Sequence, residues 1–491
     1  MTFDRALQNV LRGAAWNSFG SVSGLLISFV TFVVLARILG PTEFGYVAVA
    51  TIFIDATLVL ARAGMHDAIV QREELDERTA DTAFWLSLAT AGASFLALVL
   101  LAPALARFFA MPVLEPMLQV LAFAVPLGAL GSIHEARIVR GFGFRRLALR
   151  MLAANALGGV VAIAAAFHGW GIWSLVAQRL VAAALLTVLA CLAYPWCPRF
   201  RFDGREGRQL LAFGGKILGS NLLMIANGRV HEVIAALFLS PAAVGYLRVA
   251  WRCLDLMMQV AVNPLVTLAL PTISRLRQQP TLVGAAYLRF VGGAALIAFP
   301  CFLGFAAVAP SLIPLAFGEA WRPAVPLAQI LAILVVPAIP SAFAWPTLNA
   351  LDRAGATLVV TALQVAAGAG LSFVAAPFGV AIMALSHVVR ALLLWPVALE
   401  VLCRTITLAK SRVVTVLLRP LAGATLMAVL VALAHATLFA SLIPVAAVLA
   451  SVVLGLAIYA ALIWLIAGDQ CRELVALARG RAAFAAKTDS E

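Results

Sequence analysis

The feature that most constrains this chain is a series of long apolar stretches, each about twenty residues or more in length. A stretch of that length can cross the hydrocarbon core of a bilayer as a helix. Hydrophobic residues make up 64% of the chain and charged residues 12%, whereas a soluble domain is about 25% charged. Because the stretches are continuous rather than alternating, β-barrel strands are excluded. The sequence therefore predicts an all-α, polytopic membrane protein with about 14 transmembrane helices.

Short polar joints separate these stretches, and several of them contain Gly or Pro, as tight turns between helices do. Residues 1–13 are expected to form an amphipathic cytoplasmic helix. They are not read as part of a cleaved signal, because the apolar run after them is too long for one. The predicted spans are residues 14–38, 43–64, 82–106, 117–139, 150–168, 170–194, 211–238, 244–268, 286–308, 326–349, 356–375, 379–401, 418–437 and 442–467.

The net charge of +13 follows the predicted topology. With the N-terminus in the cytoplasm, most of the 35 Lys and Arg residues lie in cytoplasmic segments, and three, Arg37, Arg107 and Arg322, lie on the opposite side. This bias is the one described by the positive-inside rule. It explains the charge without nucleic acid as a partner, and it predicts an even number of spans with both termini in the cytoplasm.

Two stretches of the sequence recur at nearly the same offset. Residues 39–46 (LGPTEFGY) match 239–246 (LSPAAVGY), and 116–125 (PMLQVLAFAV) match 326–335 (PLAQILAILV). Turns rich in Gly and Pro resemble one another by necessity, but the match extends beyond the turns to Asp55/Asp255 and Gln119/Gln329. Six spans separate the members of each pair, so the two copies have the same orientation. A repeat of this kind is typical of transporters that bind their substrate between two lobes.

The repeat predicts the domain organisation. The N-lobe, residues 14–200, contains spans 1–6, and the C-lobe, residues 201–403, contains spans 7–12. Residues 404–491 add two further spans and a cytoplasmic tail.

Ionisable side chains within spans are costly and by default mark a binding site or a pathway. Arg248, Arg252 and Asp255 share one helix face, while Arg229 and Glu232 are spaced to form an ion pair. A guanidinium stays charged and binds phosphate through two hydrogen bonds, so surplus arginine suits a diphosphate. The alternatives are structural pairing and, near span ends, arginines that reach the headgroups. The substrate-binding candidates are Arg37, Arg62, Arg229, Arg248 and Arg252; the ion-coupling candidates are Asp55, His231, Glu232 and Asp255.

The sequence contains no arrangement typical of an enzyme. There is no P-loop, so ATP hydrolysis by this chain is not expected. The six cysteines lack the spacing of a metal site, and the acidic run at 72–78 lacks that of a calcium loop. The chain is therefore predicted to be a non-enzymatic transporter without cofactor or metal.

Three motifs carry a family resemblance. They are RILGPTEFGYVAVA at 37–50, AIVQR at 68–72 with AFWLSL at 83–88, and EARIVRGFGFRRLA at 135–148. Together they resemble Wzx-type polysaccharide flippases of the multidrug/oligosaccharidyl-lipid/polysaccharide (MOP) exporter superfamily, near the colanic-acid exporter type. The second copy departs from the first motif, with Ser240, Ala242 and Ala243 in place of Gly40, Thr42 and Glu43.

The resemblance implies a V-shaped, two-lobed protein of the bacterial inner membrane, with spans 1, 2, 7 and 8 around a cationic cavity. The implied substrate is an undecaprenyl-diphosphate-linked oligosaccharide for exopolysaccharide, capsule or O-antigen synthesis, moved by alternating access and driven by an ion gradient. Membrane lipids and the polymerase and glycosyltransferases of the same pathway are implied partners.

Three alternatives are open at this stage. A multidrug exporter of the same superfamily would favour an acidic, aromatic cavity, which the arginine surplus argues against. A scaffold that recruits glycosyltransferases would not require arginine inside the membrane. A polymerase or ligase of the pathway would usually have a large periplasmic loop, and the longest predicted outer loop lies near 309–325.

Overall fold

The computed structural model describes residues 20, 23–62, 64–72 and 75–466. These residues are almost entirely helical and contain no strand, which confirms the all-α prediction. Two short 3-10 helices, Glu319–Trp321 and Ala376–Phe378, interrupt the series. The α-helices are α1 Ser23–Leu39, α2 Pro41–Arg62, α3 Met65–Gln71, α4 Glu77–Phe108, α5 Leu114–Leu121, α6 Ala124–Arg140, α7 Phe144–Phe167, α8 Trp173–Ala193, α9 Gly204–Phe238, α10 Pro241–Ala261, α11 Asn263–Leu276, α12 Pro280–Phe317, α13 Ala324–Ala332, α14 Val335–Ala350, α15 Ala354–Ala375, α16 Val380–Thr405, α17 Lys410–Thr437 and α18 Pro444–Ile466.

By length and composition, 11 of the described spans are long and apolar enough to cross a membrane, or 13 if each of two bent helix pairs counts as one span. The first predicted span is represented by α1, a shorter apolar helix of 17 residues. The predicted count of fourteen is therefore not confirmed. The amphipathic helix predicted at 1–13 and the C-terminal tail lie outside the described residues.

Several helices extend well beyond the predicted spans. The helices α4, α9 and α12 contain 32, 35 and 38 residues, respectively. At 1.5 Å per residue, α9 is about 50 Å long, against about 30 Å for the hydrocarbon core. An apolar stretch marks only the part of a helix that lies in hydrocarbon, so the predicted bounds omit polar turns that continue outside it.

Two of the spans predicted as single continuous helices, 244–268 and 326–349, are bent in the structure. The angle is 48° between α10 and α11 and 55° between α13 and α14. Pro264 occupies the first turn of α11, where its missing N–H does not interrupt a helical hydrogen bond. Hydropathy does not detect such a break, because apolar residues continue through it.

Contacts divide the chain into two compact units. The first extends to Arg248 and includes Gly368–Val380, and the second comprises Val249–Ala367 and continues from Ala381. In the first unit α2 packs on α4, α6 and α9, and α7 packs on α8. In the second unit α12 packs on α14 and α17, and α17 packs on α18. The predicted lobe boundaries at 200 and 403 are not tested by this division and stay a prediction.

Within the first unit, the two repeated turn motifs contact each other. A Cβ built on Gly45 would overlap the carbonyl oxygen of Pro241, and one built on Gly245 would overlap that of Pro41. Only hydrogen at these two positions allows the first turns of α2 and α10 to approach so closely. This close packing explains why glycine occurs at the same position in both copies of the repeat.

Candidate functional site

Five charged residues of the first unit lie close together on four helices. Asp55 lies on α2, Arg179 on α8, Arg229 and Glu232 on α9, and Arg248 on α10. The turn after α9 brings α10 back along it, and Glu232 and Arg248 lie six and seven residues from the facing helix ends. At 1.5 Å per residue these distances are nearly equal, so the two side chains lie at about the same depth.

Glu232 is the central acid of this cluster. Arg229 donates from Nη1 to its two carboxylate oxygens at 3.0 and 3.1 Å. Arg248 donates from Nη1 to the same oxygens at 3.0 and 3.3 Å. The Glu232 side chain is only 2% exposed, so the two arginines help to offset the cost of burying its charge. The predicted pairing of Arg229 with Glu232 is present, and Arg248 is an additional partner.

Asp55 joins a second pair of arginines. The Nη2 of Arg179 donates to its Oδ1, and the Nη2 of Arg229 lies 3.6 Å from its Oδ2. Sequence reasoning did not select Arg179, because 124 residues separate it from Asp55. The only feature of the sequence that could have pointed to Arg179 was its position inside a predicted span. Three arginines and two acids thus form one network with a net charge of +1.

A cavity of about 490 Å³ opens beside this network. Arg62 adds a further positive charge to its wall and, within the described part of the chain, makes no ion pair. The network and Arg62 together carry a net charge of +2, which favours an anionic ligand. The lining residues are Asp55, Leu58, Val59, Arg62, Met224, Ile225, Gly228 and Arg229.

The structure does not bring every predicted site residue to this cavity. Arg252 and Asp255 belong to the second unit, where Asp255 acts electrostatically on Arg252. Arg37 is exposed near the end of α1. His231 is buried beside Glu232 on α9. The functional roles of all nine predicted residues stay predictions.

The fold is that of known membrane transporters. The lipid II flippase MurJ in its inward closed conformation is similar with a TM-score of 0.74, over 94% of this chain and 99% of that chain, at 11% identity. A multidrug resistance MATE family transporter of the MOP superfamily, in its inward-facing conformation, has a TM-score of 0.64 and 15% identity over 78% of this chain and 94% of its own. Likeness at such identities shows the fold, which defines a multi-pass membrane protein of the MurJ and MATE architecture.

Residues 34–326, more than half of the chain, match the family described as polysaccharide biosynthesis protein. The chain belongs to that family. The resemblance inferred from the three motifs is thereby confirmed.

Curated relatives carry related descriptions. The succinoglycan biosynthesis transport protein ExoT of Rhizobium meliloti is 27% identical over 66% of both chains. The teichuronic acid biosynthesis protein TuaB of Bacillus subtilis is 26% identical over 67% of this chain and 68% of its own. The lipopolysaccharide biosynthesis protein WzxC of Escherichia coli is 22% identical over 67% of both. The match thus spans about two thirds of the length of each relative.

Proposed function

We propose that this protein is a flippase that moves undecaprenyl-diphosphate-linked oligosaccharide units across the bacterial inner membrane for polysaccharide biosynthesis. The observation that supports the proposal is that Arg62 and Arg229 line a cavity within helices of the family-matched region. A relative described as a transport protein of succinoglycan biosynthesis supports the same class of substrate.

In this mechanism the arginines bind the diphosphate group. Asp55 and Glu232 hold the guanidiniums of Arg179, Arg229 and Arg248 in place before the substrate arrives, which lowers the entropy cost of binding. The sugar crosses through the protein while the prenyl chain stays in lipid. The protein thereby removes the large cost of taking a polar headgroup through hydrocarbon.

The remaining elements of the proposal concern orientation and partners. The charge bias of the loops favours cytoplasmic termini. The protein performs no bond chemistry and is not an enzyme. It receives its substrate from glycosyltransferases and delivers it to a polymerase, and alternating access coupled to an ion gradient moves the substrate one way. Arg252 and Asp255 of the second unit, with Arg37 and His231, are further substrate or ion contacts.

The proposal is tested by Arg62→Gln, a substitution that removes a cavity charge without breaking an ion pair. We expect polysaccharide export in a complemented deletion strain to fall about tenfold or more, since a charge-assisted hydrogen bond contributes about 1.5–3 kcal/mol. The lipid-linked precursor should accumulate in the cytoplasmic leaflet. Arg353→Gln, which changes an exposed arginine outside the spans, is the matched control and should export normally.

Equal membrane abundance of both variants must be verified by immunoblotting. Normal export by Arg62→Gln and by Arg248→Ala/Arg252→Ala would contradict the proposal. Increased sensitivity of the deletion strain to cationic drugs, restored by the wild-type gene, would instead favour a multidrug exporter.

A further inference from the structure

The linker between α8 and α9, residues 194–203, is fixed to the helical core although it has no regular structure of its own. The indole N–H of Trp196 donates to Glu77 Oε2 at 2.9 Å. The backbone N–H of Arg199 donates to Asp81 Oδ1 at 3.0 Å, and Asp81 is buried. The linker therefore presents its outward side chains from a defined backbone.

Two large aromatic rings on this linker point outward. Phe200 and Phe202 are 90% and 63% exposed. The ring of Phe200 stacks on that of Trp85, with 4.4 Å between the ring centroids. The indole N–H of Trp85 donates to the carbonyl oxygen of Arg199 at 2.8 Å. Exposed aromatic rings held rigidly at the end of a membrane span are typical of residues that sit at the headgroup level of a bilayer.

Besides Arg199, which acts electrostatically on Glu77, three exposed arginines accompany these rings, and the nearby acids already have other partners. Asp203 caps α9 by accepting from the N–H groups of residues 205 and 206 at 2.9 and 3.3 Å. Glu206 pairs with Arg72 at 2.8 Å. Within the described residues, no side-chain hydrogen bond or ion pair involves the three guanidiniums. These arginines are Arg201, Arg205 and Arg208.

We infer that the 194–203 linker and the first two turns of α9 form a binding site for anionic phospholipid headgroups of the surrounding leaflet. The helix α9 is about 20 Å longer than the hydrocarbon core, and its first turns carry Arg205, Glu206 and Arg208, so we expect these turns to lie outside the core, at the level of the lipid phosphates. The guanidiniums bind the phosphates, and Phe200 and Phe202 insert at the boundary with the acyl chains. This ligand is a resident membrane lipid and not the transported substrate.

Native mass spectrometry of the purified full-length protein tests the site with added phosphatidylglycerol or phosphatidylcholine. We expect the wild type to retain phosphatidylglycerol preferentially. Arg201→Gln/Arg205→Gln/Arg208→Gln should lose that preference, since each arginine near an anionic surface contributes about fivefold and three contribute on the order of 100-fold. The control Arg275→Gln/Arg277→Gln/Arg353→Gln removes three other exposed arginines and should keep it.

A second variant tests the aromatic half of the site. Phe200→Ser/Phe202→Ser should weaken retention of both lipids while the preference for phosphatidylglycerol remains, because the charges are intact. Size-exclusion chromatography establishes that each variant is monodisperse.

Three results would overturn the inference. The first is unchanged phosphatidylglycerol retention in the Arg201 triple variant, and the second is an equal loss in the control. The third is loss of added undecaprenyl diphosphate from the triple variant with phosphatidylglycerol retained, because the site would then belong to a transported lipid. Since the Arg62 test measures export, failure of either proposal is distinguishable from failure of the other.

Discussion

The contact between the two repeated turns gives the sharpest prediction for stability. Gly45 on α2 faces Pro241 at the start of α10, and a Cβ on Gly45 would lie 3.0 Å from the Pro241 Cα as well as overlapping its carbonyl oxygen. Both are backbone atoms and cannot rotate away as a flexible side chain can. Gly45→Ala must therefore push the two helices apart.

The expected change in the free energy of unfolding of Gly45→Ala is the sum of two opposing effects. Introducing a methyl group into a closely packed site typically costs about 1–3 kcal/mol. Replacing glycine by alanine inside a helix contributes about 0.5–1 kcal/mol in the other direction. Since displacing a helix backbone falls in the upper part of the first range, we expect the free energy of unfolding to fall by about 1–2 kcal/mol.

Thermal unfolding in detergent, followed by tryptophan fluorescence, measures the effect. Gly92→Ala is the matched control: Gly92 is exposed within α4, and a Cβ there would meet nothing within 4 Å. The control should unfold at the same temperature as the wild type or slightly higher, whereas Gly45→Ala should unfold at a lower one.

The reciprocal contact of Gly245 sharpens the test. Because either substitution alone separates the helices, Gly45→Ala/Gly245→Ala should cost less than the sum of the two single changes, as coupled neighbours do. Strict additivity, or a Gly45→Ala variant as stable as the control, would refute the close approach.

Two further substitutions test the ionic contacts. Glu232→Gln removes the carboxylate shared by Arg229 and Arg248, and only Arg229 keeps another one, that of Asp55. The free energy of unfolding should fall by up to about 3–5 kcal/mol, and adding Arg248→Gln should restore part of it; an unchanged unfolding temperature would contradict the network. Arg137→Lys keeps the charge but loses one of two hydrogen bonds to Glu77, at 2.9 and 3.0 Å, and the contact of the guanidinium with an indole ring at 4.4 Å. Its unfolding temperature should fall by an amount equivalent to about 1–3 kcal/mol in the same fluorescence assay, and a stability equal to the wild type would show that charge alone suffices.

The helices of this fold could largely be predicted because apolar length is a local property. Predicted spans such as 43–64 and 379–401 agree closely with α2 and α16. The bends after α10 and α13 could not be predicted in this way, since hydropathy averages over them. Helix ends such as the start of α9 at Gly204 were also missed, because polar turns outside hydrocarbon resemble loops in composition.

Part of the site could be predicted from the sequence for the same reason, because some of its contacts are local. The spacing of Arg229 and Glu232 on one helix predicts their contact. The contact of Glu232 with Arg248 follows from equal depth on two helices joined by a short turn. Nothing local to either segment links Arg179 to Asp55, because the neighbours of α2 are decided by packing between distant helices.

The two acids of the network occupy several arginine N–H groups, so not every arginine can contribute equally to ligand binding. Glu232 engages Nη1 of Arg229 and of Arg248, and Asp55 lies against Nη2 of Arg229. Arg229 thus already has a carboxylate on two of its nitrogens. In the described contacts, Arg248 offers its Nε and Nη2 side, an edge that can donate two parallel hydrogen bonds to a phosphate. In the proposed mechanism, the net charge attracts an anion to this region, and the arginine N–H groups that the two acids do not occupy determine where the anion binds. In that mechanism Arg62 on the cavity wall, together with this edge of Arg248 beside the cavity, donates most directly to a diphosphate, whereas Arg179 and Arg229 share their donors with Asp55 and Glu232.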